Sequence, residues 1–139
     1  MDRKTLKNVR QYNDAQLYVD TTILIKDSLN VVRNMDKDSK VQFGNDFIIT
    51  ERNMLKAFSL SYKHNNKNEK IKYAEEAVKF CDDIDVSLRI MIDSGVITLK
   101  QGANLSLRIG NIITQLNGWI KHIGGLNVVS DGVSANDDM

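Results

Sequence analysis

The stretch "VITLKQGANLSLRIGNIITQLNGWIKHIGG", residues 96–125, decides the fold. Thr98 followed three residues later by Gln101 is a capping box, in which each side chain satisfies the other residue's backbone N–H at a helix start. From there Leu105, Ile109, Ile112, Leu116, Ile120 and Ile123 recur at the spacing of one helix face. Gly124 and Gly125 then end the run. The predicted helix, from Thr98 to Ile123, contains a glycine at position 118, where glycine costs about 1 kcal/mol relative to alanine. With Leu116 at the centre of the apolar stripe, Gly118 lies about 160° away. Ala103, Leu107, Gly110, Asn111, Thr114 and Lys121 share that outer face. Trp119, the only tryptophan, falls at the edge of the stripe. Gly102, Gly110 and Gly118 are eight apart, a rotation of about 80° per step, so they form no single seam.

The same periodicity predicts three earlier helices. The first runs from Asp14 to Met35 along Leu17, Thr21, Leu24, Ser28, Val31 and Met35, widened by Ile25, Leu29 and Val32. A polar link, "DKDSKVQFGND" (36–46), follows. The second runs from Asn45 to His64 with Phe47, Met54, Leu55, Phe58 and Tyr62 on one face, and Asn45 or Asp46 as N-cap. After the connection "NNKNEK" (65–70), the third runs from Asn68, its N-cap, to Ser94. Its stripe is Ile71, Ala74, Ala77, Val78, Cys81, Ile84, Leu88 and Ile92, with Gly95 as the residue that terminates it. Four long amphipathic helices joined by short links predict an all-α, antiparallel up-down-up-down four-helix bundle over residues 14–123. The absence of proline, where about seven would be average, fits long uninterrupted helices.

The 139 residues suit one domain. Nineteen basic against eighteen acidic side chains give a net charge of +1, which carries no nucleic-acid footprint by itself. The charge is uneven: residues 1–13 form a basic arm with Arg3, Lys4, Lys7 and Arg10, and residues 124–139 a flexible acidic tail with three aspartates. The single cysteine, Cys81, permits no intramolecular disulfide and fits a reducing compartment. No signal peptide or membrane-spanning run is visible, so a cytoplasmic protein without a membrane partner is expected.

From Ile84 to Ile92 the third helix is apolar almost all round, with Val86 and Ile90 opposite Cys81. A helix apolar on every side is ordinarily buried on every side, which a four-helix protomer cannot provide alone. Val86, Ile90, Leu107, Gly110, Gly118 and Trp119 are therefore the expected interface of a homo-oligomer.

The segment from Gly95 to Lys121 resembles the accessory variability determinants of diversity-generating retroelements, within the wider four-helix-bundle family of 23S rRNA intervening-sequence proteins. The residues that carry the likeness are "SLRIMIDSGVIT" (87–98) ahead of the last helix, "LNGWIK" (116–121) at its end and "NKNEK" (66–70) opening the third. The resemblance spans residues 14–123. It implies a protomer assembled into a pentameric barrel. It further implies a non-catalytic subunit that binds a reverse transcriptase and its template RNA or cDNA during mutagenic retrohoming. The near-neutral charge supports an alternative: an oligomeric protein–protein interaction module that binds no nucleic acid.

Five cations on the outer faces of the first two helices could supply phosphate contacts: Lys26, Arg33, Arg52, Lys56 and Lys63. The same residues read equally as a solvated face. Glu51 and Asp85 fall on apolar faces, but Asp85 is four residues from Arg89, the spacing of an ion pair, and no Glu-x-x-His pattern of a di-iron bundle is present. Two histidines, His64 and His122, and one cysteine make no zinc site. Cys81 reads as an inert core thiol. No phosphate-binding loop, nucleophile elbow or dinucleotide fingerprint occurs, so neither catalysis nor a metal or cofactor is expected.

Overall fold

The computed structural model describes residues 12–125 and the side chains from residue 16 onward. The basic arm and almost all of the acidic tail lie outside these residues. Four helices form the fold: α1, Tyr12–Arg33; α2, Asn45–Lys63; α3, Lys67–Asp93; and α4, Leu99–Gly124. No strand is present among the described residues. Each helix packs against its chain neighbours, and α1 against α4 closes the ring. Side-chain pairs set the directions. Asp20 meets Gln115 while Asp27 meets Arg108, so α1 and α4 are antiparallel. Ser61 meets Lys70 across the α2–α3 turn. Ser28 meets Glu51 between α1 and α2.

The core is the predicted apolar seam with small rotations. Leu105, Ile109, Ile112 and Leu116 of α4 are buried against Cys81, Ile84 and Leu88 of α3 and Met54 and Phe58 of α2. Each such side chain contributes about 1.5–3 kcal/mol by leaving water. On α1 the last turn presents Val32 to the core and leaves Val31 half-buried and Leu29 exposed. On α3 it is Met91, not Ile92, that is fully buried at the end. Ile120 is half-buried on α4. In each case adjacent apolar residues about 100° apart compete for the core, and packing against neighbouring helices decides.

The helix ends combine confirmation with correction. Thr98 and Gln101 make the capping box, at 3.0 and 2.9 Å. Gly95 takes φ +73°, Val96 N–H reaches Met91 O and Gly95 N–H reaches Ile92 O. This is a Schellman closure, and its left-handed residue favours glycine. The N-cap of α3 is Asn66, whose side chain accepts the Glu69 N–H at 3.0 Å, rather than Asn68. The polar link before α2 is itself helical. Asp36 caps a short turn, Lys37–Ser39, by accepting the Ser39 N–H at 2.8 Å. A wide π-type turn, Lys40–Gly44, then runs without a break into α2. Neither Asn45 nor Asp46 caps α2, because both already lie inside helix.

Two glycines mark close approaches. A Cβ on Gly102 would stand 2.4 Å from Ile92, and one on Gly44 2.7 Å from Val32. Gly110 and Gly118 have open space where a Cβ would go.

Candidate nucleic-acid and assembly surfaces

Lys26, Arg33, Arg52, Lys56 and Lys63 are all exposed. The Ser28–Glu51 bond fixes the register of the antiparallel α1–α2 pair. Lys26, Arg52 and Lys56 therefore share the middle level of the bundle. Arg33 and Lys63 lie toward opposite ends, about 25 Å apart at 1.5 Å rise per residue. The structure thus places three of the five cations at one level and separates the other two. Arg33 also donates to Asn30 Oδ1 at 3.4 Å.

The outer faces of α3 and α4 carry the expected assembly residues. Val86 is 52 % exposed, Ile90 47 % and Leu107 76 %. Gly110 and Gly118 are exposed on α4, and the surface formed by Ala103, Leu107, Gly110 and Thr114 is a shallow open groove. Val86 and Ile90 thus stand on the outer face of α3, and Leu107 stands beside the low-relief surface of α4. Trp119 differs from the other five. Its Nε1–H donates to Ser61 Oγ at 2.9 Å, and its ring meets Phe58, Tyr62 and the Lys70 ammonium. Its contacts thus lie largely within its own protomer.

Asp85 does not face the core as its place in the stripe suggests. It is partly exposed and forms an ion pair with Arg89 of its own helix. Glu51 does face the core and is fully buried. Ser28 Oγ–H donates to its Oε2 at 2.6 Å, while Oε1 has no hydrogen-bond partner. Burial raises the Glu51 pKa to about 8, and the Ser28 hydrogen bond only partly opposes that. Burial, with the negative charges of Asp82 and Glu51, pushes the Cys81 thiol up to about 12. A thiol so reluctant to ionise is a poor nucleophile, as expected of core packing. Among the described residues no group of three or more His, Cys, Asp or Glu side chains is placed to hold a metal ion.

Sequence reasoning missed the end of the bundle where α2 and α4 finish and α3 begins. Ser61 Oγ–H donates to Lys70 O at 2.5 Å, and Lys70 Nζ donates to Ser61 O and Tyr62 O at 3.3 and 3.0 Å. His64 and Tyr73 stack with ring centroids 5.1 Å apart, and Trp119 and His122 stack at 5.5 Å. The signal was present in "YKHNNKNEKIKY" (62–73), where lysines alternate with aromatic rings.

Comparison with known protein families, curated proteins and solved structures finds no match. No described helix is long and apolar enough to cross a membrane.

Proposed function

We propose that the protein is a non-catalytic accessory subunit of a diversity-generating retroelement. In this reading it forms a cytoplasmic homo-oligomer, a pentameric barrel, that holds a reverse transcriptase and its template RNA or cDNA together. The observation that carries the reading is the exposure of Val86, Ile90 and Leu107 on the outer faces of α3 and α4, with open space at glycines 110 and 118. Exposed apolar side chains of this size are suited to burial against another subunit. The likeness of "SLRIMIDSGVIT" and "LNGWIK" to accessory determinants supplies the retroelement context. The protein's part is then scaffolding: mid-bundle Lys26, Arg52 and Lys56 contact phosphates, an oligomer repeats that weak site, and the polymerase does the chemistry.

One observation favours the alternative, an interaction module without nucleic acid. The second half of α3 is acidic, with Asp82, Asp83, Asp85 and Asp93 against Arg89, so the charged surfaces of two copies could satisfy each other. Binding of the wild-type protein to structured RNA separates the readings. The retroelement reading expects affinity that falls steeply between 50 and 200 mM salt and weakens in the variant Arg52→Glu with Lys56→Glu. No binding at low salt leaves the interaction module; binding indifferent to that charge reversal removes the lateral phosphate site.

A further inference from the structure

The bundle end described above carries a combination found nowhere else among the described residues. Within α3's first six residues stand Lys67, Lys70 and Lys72 against Glu69, and no basic residue lies in its last turn. A helix macrodipole favours the reverse arrangement, so cations at an N-terminus are locally unfavourable. Lys63 and Lys121, from the last turns of α2 and α4, are drawn to the same end. Here the helix-terminal preference does favour cations. A helix that sets its lysines against its own dipole, beside two helices that add more, concentrates positive charge at one end.

Aromatic rings lie among these charges in two stacks. His64 and Tyr73 are nearly coplanar in orientation, at 16°, with Lys72 Nζ 5.5 Å from the Tyr73 centroid. His122 stacks on Trp119 at 27°, with Lys70 Nζ 5.5 Å from the tryptophan centroid. Tyr73 follows Lys70 by three residues of α3, about 4.5 Å of rise, so both stacks are held by the first turns of one helix. The inner members are committed: Trp119 to Ser61, and Lys70 to the carbonyls that close α2. The outer members remain accessible: His122, Lys63, Lys72 and Lys121 are exposed, and His64 is half-exposed.

We infer that this end of the bundle binds single-stranded RNA, with His64 and His122 as stacking faces for bases and Lys63, Lys72 and Lys121 as phosphate contacts. The inference rests on the RNA-binding reading above and moves its principal contact from the side of the bundle to its end. Aromatic faces beside cations suit a single strand, because unpaired bases can stack on a side-chain ring while the backbone meets the lysines. A duplex hides its base faces and could use only the charges. An acidic protein partner likewise would leave the rings without a role.

The test uses the full-length protein and a fluorescein-labelled twelve-nucleotide oligouridylate, read by anisotropy at 50 mM salt, with a duplex RNA of equal length and heparin as competitors. The single strand is expected to bind at least about ten-fold more tightly than the duplex. His64→Ala with His122→Ala should weaken it by about ten-fold or more, while His64→Tyr with His122→Tyr restores it. Trp119, the only tryptophan and the ring beneath His122, should change its emission on binding. Because His122 is exposed, His122→Ala alone reports on the site even if the double variant melts early. Equal affinity for single strand, duplex and heparin overturns the inference. So does wild-type affinity in the histidine variants, and if Arg52→Glu with Lys56→Glu then abolishes binding, the lateral site of the broader reading stands alone. No RNA binding of any kind at 50 mM salt sinks both.

Discussion

Two polar clusters are built into this bundle, one at its middle and one at its end, and they obey opposite rules. At the end, Ser61 is fully buried yet both donates and accepts, to Lys70 O and from Trp119 Nε1–H. In the middle, Glu51 is equally buried but only one of its oxygens has a partner. A satisfied buried network fixes one arrangement of helices, whereas a half-satisfied one costs desolvation free energy that its single hydrogen bond does not recover. The bundle therefore pins α2, α3 and α4 together at one end and keeps an ionisable weakness at its centre.

The largest effect that could break this contrast is the pH dependence of stability. Glu51 holds its proton in the folded protein up to about pH 8, against an ordinary value of 4.5. Its contribution is fully present below 4.5, where both states are protonated. As pH rises above 4.5 the unfolded chain ionises and the folded one does not, so stability falls until the folded group also ionises near pH 8. The loss across that window is on the order of 4 kcal/mol. Urea unfolding at pH 5 and pH 8 measures it, and Glu51→Gln should remove most of the slope. A wild-type protein equally stable at both values contradicts a neutral, buried Glu51.

A smaller effect belongs to the satisfied cluster. Trp119→Phe keeps much of the ring packing and loses the indole N–H, so it should cost about 1 kcal/mol with no change in pH dependence. Trp119→Phe combined with Ser61→Ala should cost less than the sum of the two single changes, as coupled partners do; strict additivity in urea titrations would separate the two residues. The smallest expected effect is at Lys70. The coupling between Lys70→Met and Trp119→Leu, beyond lost packing, should be about 0.5–1 kcal/mol for a cation over a partly exposed ring. A double-mutant cycle by thermal melting reads it.

The same contrast shows what the sequence made legible. Signals confined to one turn, such as Thr98 with Gln101 and the left-handed Gly95, need no distant partner and are found where periodicity places them. Apolar spacing located the core stripes of all four helices. It put Val31 in the stripe of α1 with Val32 only at its margin, and it chose Ile92 over Met91 on α3, where two apolar neighbours offer equally good faces. Local cues also failed where two of them competed: Asn66 and Asn68 lie in one polar run, and Asn66 wins the cap of α3. The segment 36–44 looked like a link because its polar residues hid the Asp36 cap and the wide turn breaks the helical period. The candidate site was less legible. Individual cations and the open face around Gly118 could be placed by angle. The Ser61–Trp119 bond, which joins residues 58 apart, and the stacks at the bundle end exist only once three helix termini converge.

Gly118 ties these observations to assembly. A Cβ there meets nothing within 4 Å in the protomer, so Gly118→Ala should raise protomer stability by up to about 1 kcal/mol, and the proposed assembly would set a neighbouring subunit against this open face. Sedimentation velocity of the wild-type protein and of Gly118→Leu tests this most directly. The account predicts a wild-type species near five times 15.8 kDa, about 79 kDa, and a folded, dissociated Gly118→Leu variant. A wild-type protein that remains monomeric at high micromolar concentration would contradict it.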